Sequence, residues 1–196
     1  MTFREIVAFI KSDLQRYTTR VNKRSFCIKW CFNRSFYYLF WFRLTASNHW
    51  LIRVTAKLMH FRLTRKYGIH IPAATQIGHG LYIGHGMSIV VNETTRIGNN
   101  CNVSQFTTIG SNHGQAATIG DNVYIGPRVS IVEDVTIGNN VTIGAGAVVT
   151  KDIPDNCTVA GVPAKVISQK SPGRYVQNRY QLFNSDQKRE EHLFTE

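Results

Sequence analysis

The sequence predicts a mainly β fold: a parallel β-solenoid preceded by a short α-helical segment. Three observations predict it. An aliphatic residue returns every six positions, a glycine follows most of these aliphatics, and the basic, aromatic first third lacks the period altogether.

The repeat runs Ile77, Ile83, Ile89, then Val91, Ile97, Val103, Ile109, and resumes with Ile119, Ile125, Ile131, Ile137, Ile143 and Val149. A period of six fits neither a 3.6-residue helix nor a strand that alternates every two residues. It fits straight segments about five residues long joined by tight corners, each aliphatic pointing into a narrow interior. Glycine at the next position (98, 110, 120, 126, 138 and 144) lets backbones approach at the wall. A second inward position holds Cys101, Val123 and Val141, each preceded by an asparagine (100, 122, 140) that tolerates a left-handed corner. The register slips twice, by two residues near Val90–Val91 and by four between Ile109 and Ile119. The second slip leaves the polar stretch Ser111-Asn112-His113-Gly114-Gln115, and slips in a solenoid map to loops.

Residues 1–68 read as helical. Thr2 and Glu5 form a capping box ahead of Ile6, Val7, Ile10 and Leu14. Asn48 is the expected cap of a helix with Leu51, Val54, Thr55, Leu58 and Met59 on one face. The aromatic run Ser25–Phe42 has no readable period. Residues 69–167 form the solenoid domain, and 168–196 a polar tail. Net charge is +11, and residues 1–70 carry fourteen Lys/Arg against Glu5 and Asp13, so the excess belongs to that segment. It also holds fifteen of the 22 aromatics. Arg43, His49, Arg53 and Lys57 interrupt its most apolar stretch, against a membrane-spanning helix. The first residues do not read as a signal peptide, which makes the cytoplasm the expected compartment. Cys27 and Cys31 have no second pair to close a zinc site, so reduced thiols and no metal are expected.

The run Ile77-Gly-His-Gly-Leu-Tyr-Ile-Gly-His-Gly-Met-Ser-Ile-Val-Val-Asn-Glu-Thr resembles the catalytic segment of serine acetyltransferases, a hexapeptide-repeat acyltransferase family. The resemblance extends from about Ile69 to Ile167. It implies a left-handed β-helix with three hexads per coil, acetyl-CoA as acyl donor and a homotrimer. The segment Lys11-Ser-Asp-Leu-Gln-Arg-Tyr resembles relatives that serve capsule and O-antigen synthesis. The acceptor expected from this branch is a sugar hydroxyl of a surface polysaccharide or its precursor. Serine O-acetylation and a non-catalytic scaffold are the competing readings.

By position the family's catalytic histidine falls on His85. A thioester is already activated, so transfer to an alcohol chiefly needs a base for the hydroxyl proton, a task that suits imidazole. His85 follows inward Ile83 by two residues and should face outward. Where the serine enzymes have an orienting aspartate this chain has His70, which leaves Glu93 as the candidate acid. Where they have an aspartate beside the histidine it has Gly84, which weakens the case for an ammonium-bearing acceptor. His113 is a second catalytic candidate, and His79 reads as solvent-exposed and without a role. Asn92, Ser104, Gln105 and Asn112, with His70, are candidates to contact the acceptor. The resemblance places the coenzyme along Gly110, Gly126, Pro127, Gly144 and Ala145, with Lys165 and Lys151 near its phosphates. The N-terminal segment has three readings: a cap on the β-helix, association with the inner membrane surface, and nucleic-acid binding, the last without any accompanying motif.

Overall fold

Among residues 1–181, which the computed structural model describes, four helices precede fifteen short strands. The first sheet holds β1 (Ile69–His70), β4 (Ile89–Val91), β7 (Thr108–Gly110), β10 (Ser130–Val132) and β13 (Val148–Val149). The second holds β2 (Gln76–Ile77), β5 (Arg96–Ile97), β8 (Thr118–Ile119) and β11 (Thr136–Ile137). The third holds β3 (Tyr82–Ile83), β6 (Asn102–Val103), β9 (Tyr124–Ile125), β12 (Thr142–Ile143), β14 (Thr158–Ala160) and antiparallel β15 (Lys165–Ser168). The chain visits the sheets in rotation, which makes a parallel β-solenoid of about five turns, consistent with the expected left-handed β-helix.

The aliphatics of the repeat lie directly above one another, Ile83 opposite Val103, Val103 opposite Ile125 and Ile125 opposite Ile143. All are buried in one cluster with Cys101, Val123 and Val141. The preceding asparagines, Asn100, Asn122 and Asn140, adopt φ of 55°, 57° and 55°, the left-handed corner expected of them. The glycine rule also has a steric cause. A Cβ on Gly98 would lie 2.6 Å from the Gly120 carbonyl oxygen one turn above.

One slip is misplaced by the sequence reading. Ile83 pairs with Val103 and Val91 with Ile109, so eight positions in the first turn match six in the next. Ile89 fills the inward slot above which Thr107 lies, and the two extra residues therefore sit in the corner Gly84–Ser88. The four-residue slip does fall between β7 and β8.

The helices close the open end of the first turn. α1 (Phe3–Tyr17) begins with the Thr2–Glu5 capping box. The aromatic run divides at Asn33 into α2 (Lys23–Phe32) and α3 (Arg34–Leu44), because Asn33 ends one and caps the other through the Phe36 N–H. α3 inserts Tyr38, Leu39 and Phe42 into the end of the β-helix core. α4 (Trp50–Tyr67) starts at His49, not Asn48, without a side-chain cap, and ends on Gly68 at φ 64°. Its buried residues are Ala56, His60 and Leu63, whereas the predicted stripe of Leu51, Val54, Thr55 and Leu58 is exposed and Met59 half-buried. Spacing shows that a helix has an apolar side, not which side meets the core. Among the described residues no helix is long and apolar enough to cross a membrane.

The polar tail is partly bound. Gly173 donates its N–H to the Asn140 carbonyl, Asn102 Nδ2 donates to the Tyr175 carbonyl, and Asn100 exchanges two hydrogen bonds with the Tyr180 backbone. Residues 173–180 thus run back along the asparagine corners to α1, where Arg16 Nε donates to the Gln177 carbonyl. The rest of the predicted tail, 182–196, lies outside the described residues.

His60 makes the cap sensitive to pH. Its ring nitrogen lies 2.8 Å from the Tyr38 hydroxyl, and burial, with the charge of His70 second, lowers its pKa from 6.5 to about 4. Below about pH 6.5 the unfolded chain binds a proton that the folded chain refuses until near pH 4. Stability from this group is therefore fully present above that window and declines as pH falls through it. Urea unfolding at stepped pH should show a loss on the order of 1–3 kcal/mol, reduced in His60→Gln. An identical pH slope in the folded variant would remove His60 as its source.

Candidate functional site

A triangular solenoid has three edges, and the candidate residues divide among them. The edge between the third and first sheets carries His85. Its corner is Gly84–Ser88, and above it stack Ser104–Thr107, Gly126–Val129 and Gly144–Ala147, through backbone bonds such as Phe106 to Met87, Arg128 to Gln105 and Gly146 to Pro127. The two extra residues lift His85 from this wall. Its side chain is exposed and its φ is 51°, in the left-handed region where a non-glycine residue carries strain. Three groups of the cap and the next turn hold the strained corner. The Tyr17 hydroxyl accepts from the Ile83 N–H at 2.9 Å, Gly84 donates to the Val103 carbonyl, and Gly86 donates to buried Ser35 Oγ at 3.1 Å.

The predicted coenzyme positions Gly126, Pro127, Gly144 and Ala145 fall on this same edge, directly above His85. Gly126 has a steric reason to be glycine, since a Cβ there would meet the Ile143 carbonyl oxygen at 2.7 Å. Lys165 follows the turn after β14, at the top of the column, where Gly161 accepts from the Val148 N–H. Four inter-turn steps separate the His85 corner from that turn, about 19 Å at the usual strand spacing. Gln105 lies half-buried in the second corner of the column, and Ser104 is buried beside it. The sequence reading missed Arg128, an exposed cation in the middle of this edge, 5.8 Å over the Phe106 ring. Its signal was an arginine at a left-handed corner, φ 58°, where glycine is expected.

Glu93, His113, Asn92, Asn112, Gly110 and Lys151 lie on the next edge, between the first and second sheets. His85 lies in the corner before β4 and Glu93 in the corner after it, with the whole of β4 and its flanking residues between them. Within one chain, therefore, neither Glu93 nor His113 joins His85. Asn92 is spent on its own turn, accepting from the Thr94 N–H and hydroxyl. The 111–115 loop is tied down by Glu133, which accepts from Ser111 Oγ at 2.9 Å and the Asn112 N–H at 3.3 Å. Sequence reasoning did not single out Glu133, which sits one turn above and opposite the loop. His113 and Asn112 are exposed, and His70 is exposed at the end of β1, opposite Val90.

The third edge holds His79 and corrects its reading as solvent-exposed. Its ring stacks on Phe9 with centroids 3.9 Å apart, lies 3.3 Å from Ser12 Oγ, and is covered by Tyr180. Burial, then the nearby Arg43 charge, lowers its pKa.

Residues 116–151 match the family described as bacterial transferase hexapeptide (six repeats). The serine acetyltransferase of Synechococcus elongatus is 35% identical over 127 residues, 61% of this chain and 52% of that one. Among solved structures, the serine acetyltransferase of Brucella abortus in complex with coenzyme A gives a TM-score of 0.74 at 27% identity, covering 87% of this chain and 70% of that one. The Neisseria gonorrhoeae enzyme in complex with serine gives 0.70 at 28%, covering 85% and 70%. The chain spans about half the length of the curated relatives it matches, 52% of the first. None of these names supports the expected polysaccharide-modifying branch. The chain is a parallel β-solenoid with hexapeptide repeats over residues 116–151, similar over 61% of its length in sequence and 87% in structure to serine acetyltransferases.

Proposed function

We propose that this chain is an acetyl-CoA-dependent O-acetyltransferase with His85 as its general base. One observation carries the reading. A single edge of the solenoid runs from the lifted, exposed imidazole past Gly126, Pro127, Gly144 and Ala145 to Lys165. An elongated thioester fits that edge with its acyl end at His85 and its phosphates at Lys165. Arg128 adds a cation between them. His85 takes the acceptor's hydroxyl proton as the oxygen attacks the thioester carbonyl; the carbon–sulfur bond then breaks and the coenzyme leaves as thiolate, which takes up the proton. A neighbouring copy closing the shallow edge, in a trimer, completes this reading.

L-serine is the acceptor favoured by the relatives, which carry the serine acetyltransferase name. A sugar hydroxyl is the second reading, and a specific observation favours it. Gly84 and His70 stand where the resemblance gives the serine enzymes aspartates, so neither position supplies a carboxylate to pair with an ammonium. Gly84 has room for one, because a Cβ there meets nothing nearer than Tyr82 Cε1 at 3.5 Å.

In a thiol-release assay, His85→Ala should lower kcat by ~10²–10⁴ with acetyl-CoA affinity nearly intact. Retention of most activity in the folded variant would sink the assignment. Lys165→Ala should raise KM for acetyl-CoA about tenfold and leave kcat little changed, as loss of one charged hydrogen bond implies. For the acceptor, a serine kcat/KM of ~10⁴ M⁻¹s⁻¹ or more supports the serine reading. Turnover of simple or nucleotide sugars, with serine weak until Gly84→Asp raises it, supports the sugar.

A further inference from the structure

Among the described residues nothing packs on the outer face of α4. Trp50, Leu51, Val54, Leu58 and Phe61 are 63, 52, 57, 52 and 56% exposed. At 100° per residue they fall on one stripe opposite buried Ala56, His60 and Leu63. Arg53 and Lys57 border the stripe on one side and Arg62 and Lys66 on the other, all exposed. Arg65 lies within it, its guanidinium 5.5 Å over the Phe61 ring. The start of the chain extends the patch, since Met1 bonds to Ala46 and Asn48 and the following Phe3 is exposed. Isolated exposed apolar residues are ordinary, but a continuous stripe is the mark of an interaction surface.

Charge selects the occupant. Between Asp13 and Glu93 the sequence contains no acidic residue. A second copy seated with its own α4 on this one would set the cationic border against itself, with no carboxylate on either helix to pair. An anionic lipid surface answers both features: the apolar side chains enter the acyl boundary, Trp50 sits at headgroup level, and the flanking Lys and Arg reach the phosphates. We propose that α4 lies flat on an anionic bilayer surface and holds the enzyme there as a peripheral protein. The helix cannot cross the bilayer, which leaves the interface as its place.

The test is co-sedimentation of the full chain with vesicles of phosphatidylcholine alone, and of phosphatidylcholine with one quarter phosphatidylglycerol. Partition into the anionic vesicles should be at least tenfold the greater, and should weaken as salt is raised. The double substitution Val54→Asp, Leu58→Asp should cut it at least tenfold with the thermal unfolding profile unchanged, because both positions are exposed. Lys57→Gln with Arg62→Gln, which keeps the apolar stripe, should also weaken it. Failure to sediment with anionic vesicles, or equal binding by the aspartate variant, overturns the proposal. So does light scattering without lipid in which the aspartate variant has a smaller assembly mass than the unmodified chain, because a second copy then covers the stripe. The readout is lipid partition and not acetyl transfer, so its failure leaves the acetyltransferase reading standing.

Discussion

A parallel β-helix has an unavoidable defect at its first turn. Strands in the middle of each sheet find backbone partners on both sides, but β1, β2 and β3 have no strand beneath them. Buried N–H and C=O groups left unpaired cost about 1–3 kcal/mol each, so the open end must be answered group by group. In this chain side chains answer it. Ser12 Oγ accepts from the Gly80 N–H and Asp13 from the Leu81 N–H. Arg16 donates to the Gly80 carbonyl, and Arg43 to the carbonyls of Ile77 and Gly78. Tyr17 serves both sides of Ile83, accepting its N–H and donating to its carbonyl.

These contacts tie fold to function. Asp13 and Arg43 meet in a bidentate pair at 2.8 and 3.0 Å, buried between α1, α3 and the first turn. Such a pair gives little net stability over an apolar core, but losing one member leaves an uncompensated buried charge. It therefore fixes how the helices sit more than how strongly they bind. The same docking presents Ser35 to Gly86 and Tyr17 to Ile83, which bracket His85 on both sides. The strained corner keeps its conformation because the helical cap holds it. The cap is thus part of the candidate site even though it contributes no group to the chemistry proposed for His85.

The β-helix was legible because its physics is periodic. An inward aliphatic, a second small inward residue and a tight wall position recur with the six-residue period, and the asparagines at left-handed corners repeat it independently. His85 was legible through its neighbours, but the location of the register slip was not. Ile83, Ile89 and Val91 are all aliphatic, so the sequence does not say which interval holds the extra residues; only strand pairing does. The Lys11–Tyr17 segment was visible as a motif, and four of its seven residues turn out to bind the first turn. Those contacts span more than sixty positions, beyond any local pattern. Helix α4 misled for a related reason: its apolar stripe is real, but the side that packs uses Ala56, His60 and Leu63.

Regular repeats would make the three edges equivalent, and a site needs one of them to differ. Each edge is broken by its own departure from the period. Two extra residues lift His85 on one edge. Four extra residues, held by Glu133, build the loop of His113 on the second. α1 and residues 173–180 cover the third, where His79 is stacked between Phe9 and Tyr180. Among the described residues this leaves the His85 edge as the one that, above its first turn, is neither looped out nor covered by a docked segment, its corners running past Gly126 and Gly144 to Lys165 with Phe106 and Arg128 projecting from it. The repeat supplies rigidity at no cost in specificity, because the interruptions carry the specificity. Each interruption is a local insertion or a docked segment that leaves the inward aliphatics in register. A residue on one edge can therefore change without disturbing the core that supports it, as Gly84 illustrates: a Cβ there would meet nothing nearer than Tyr82 Cε1 at 3.5 Å.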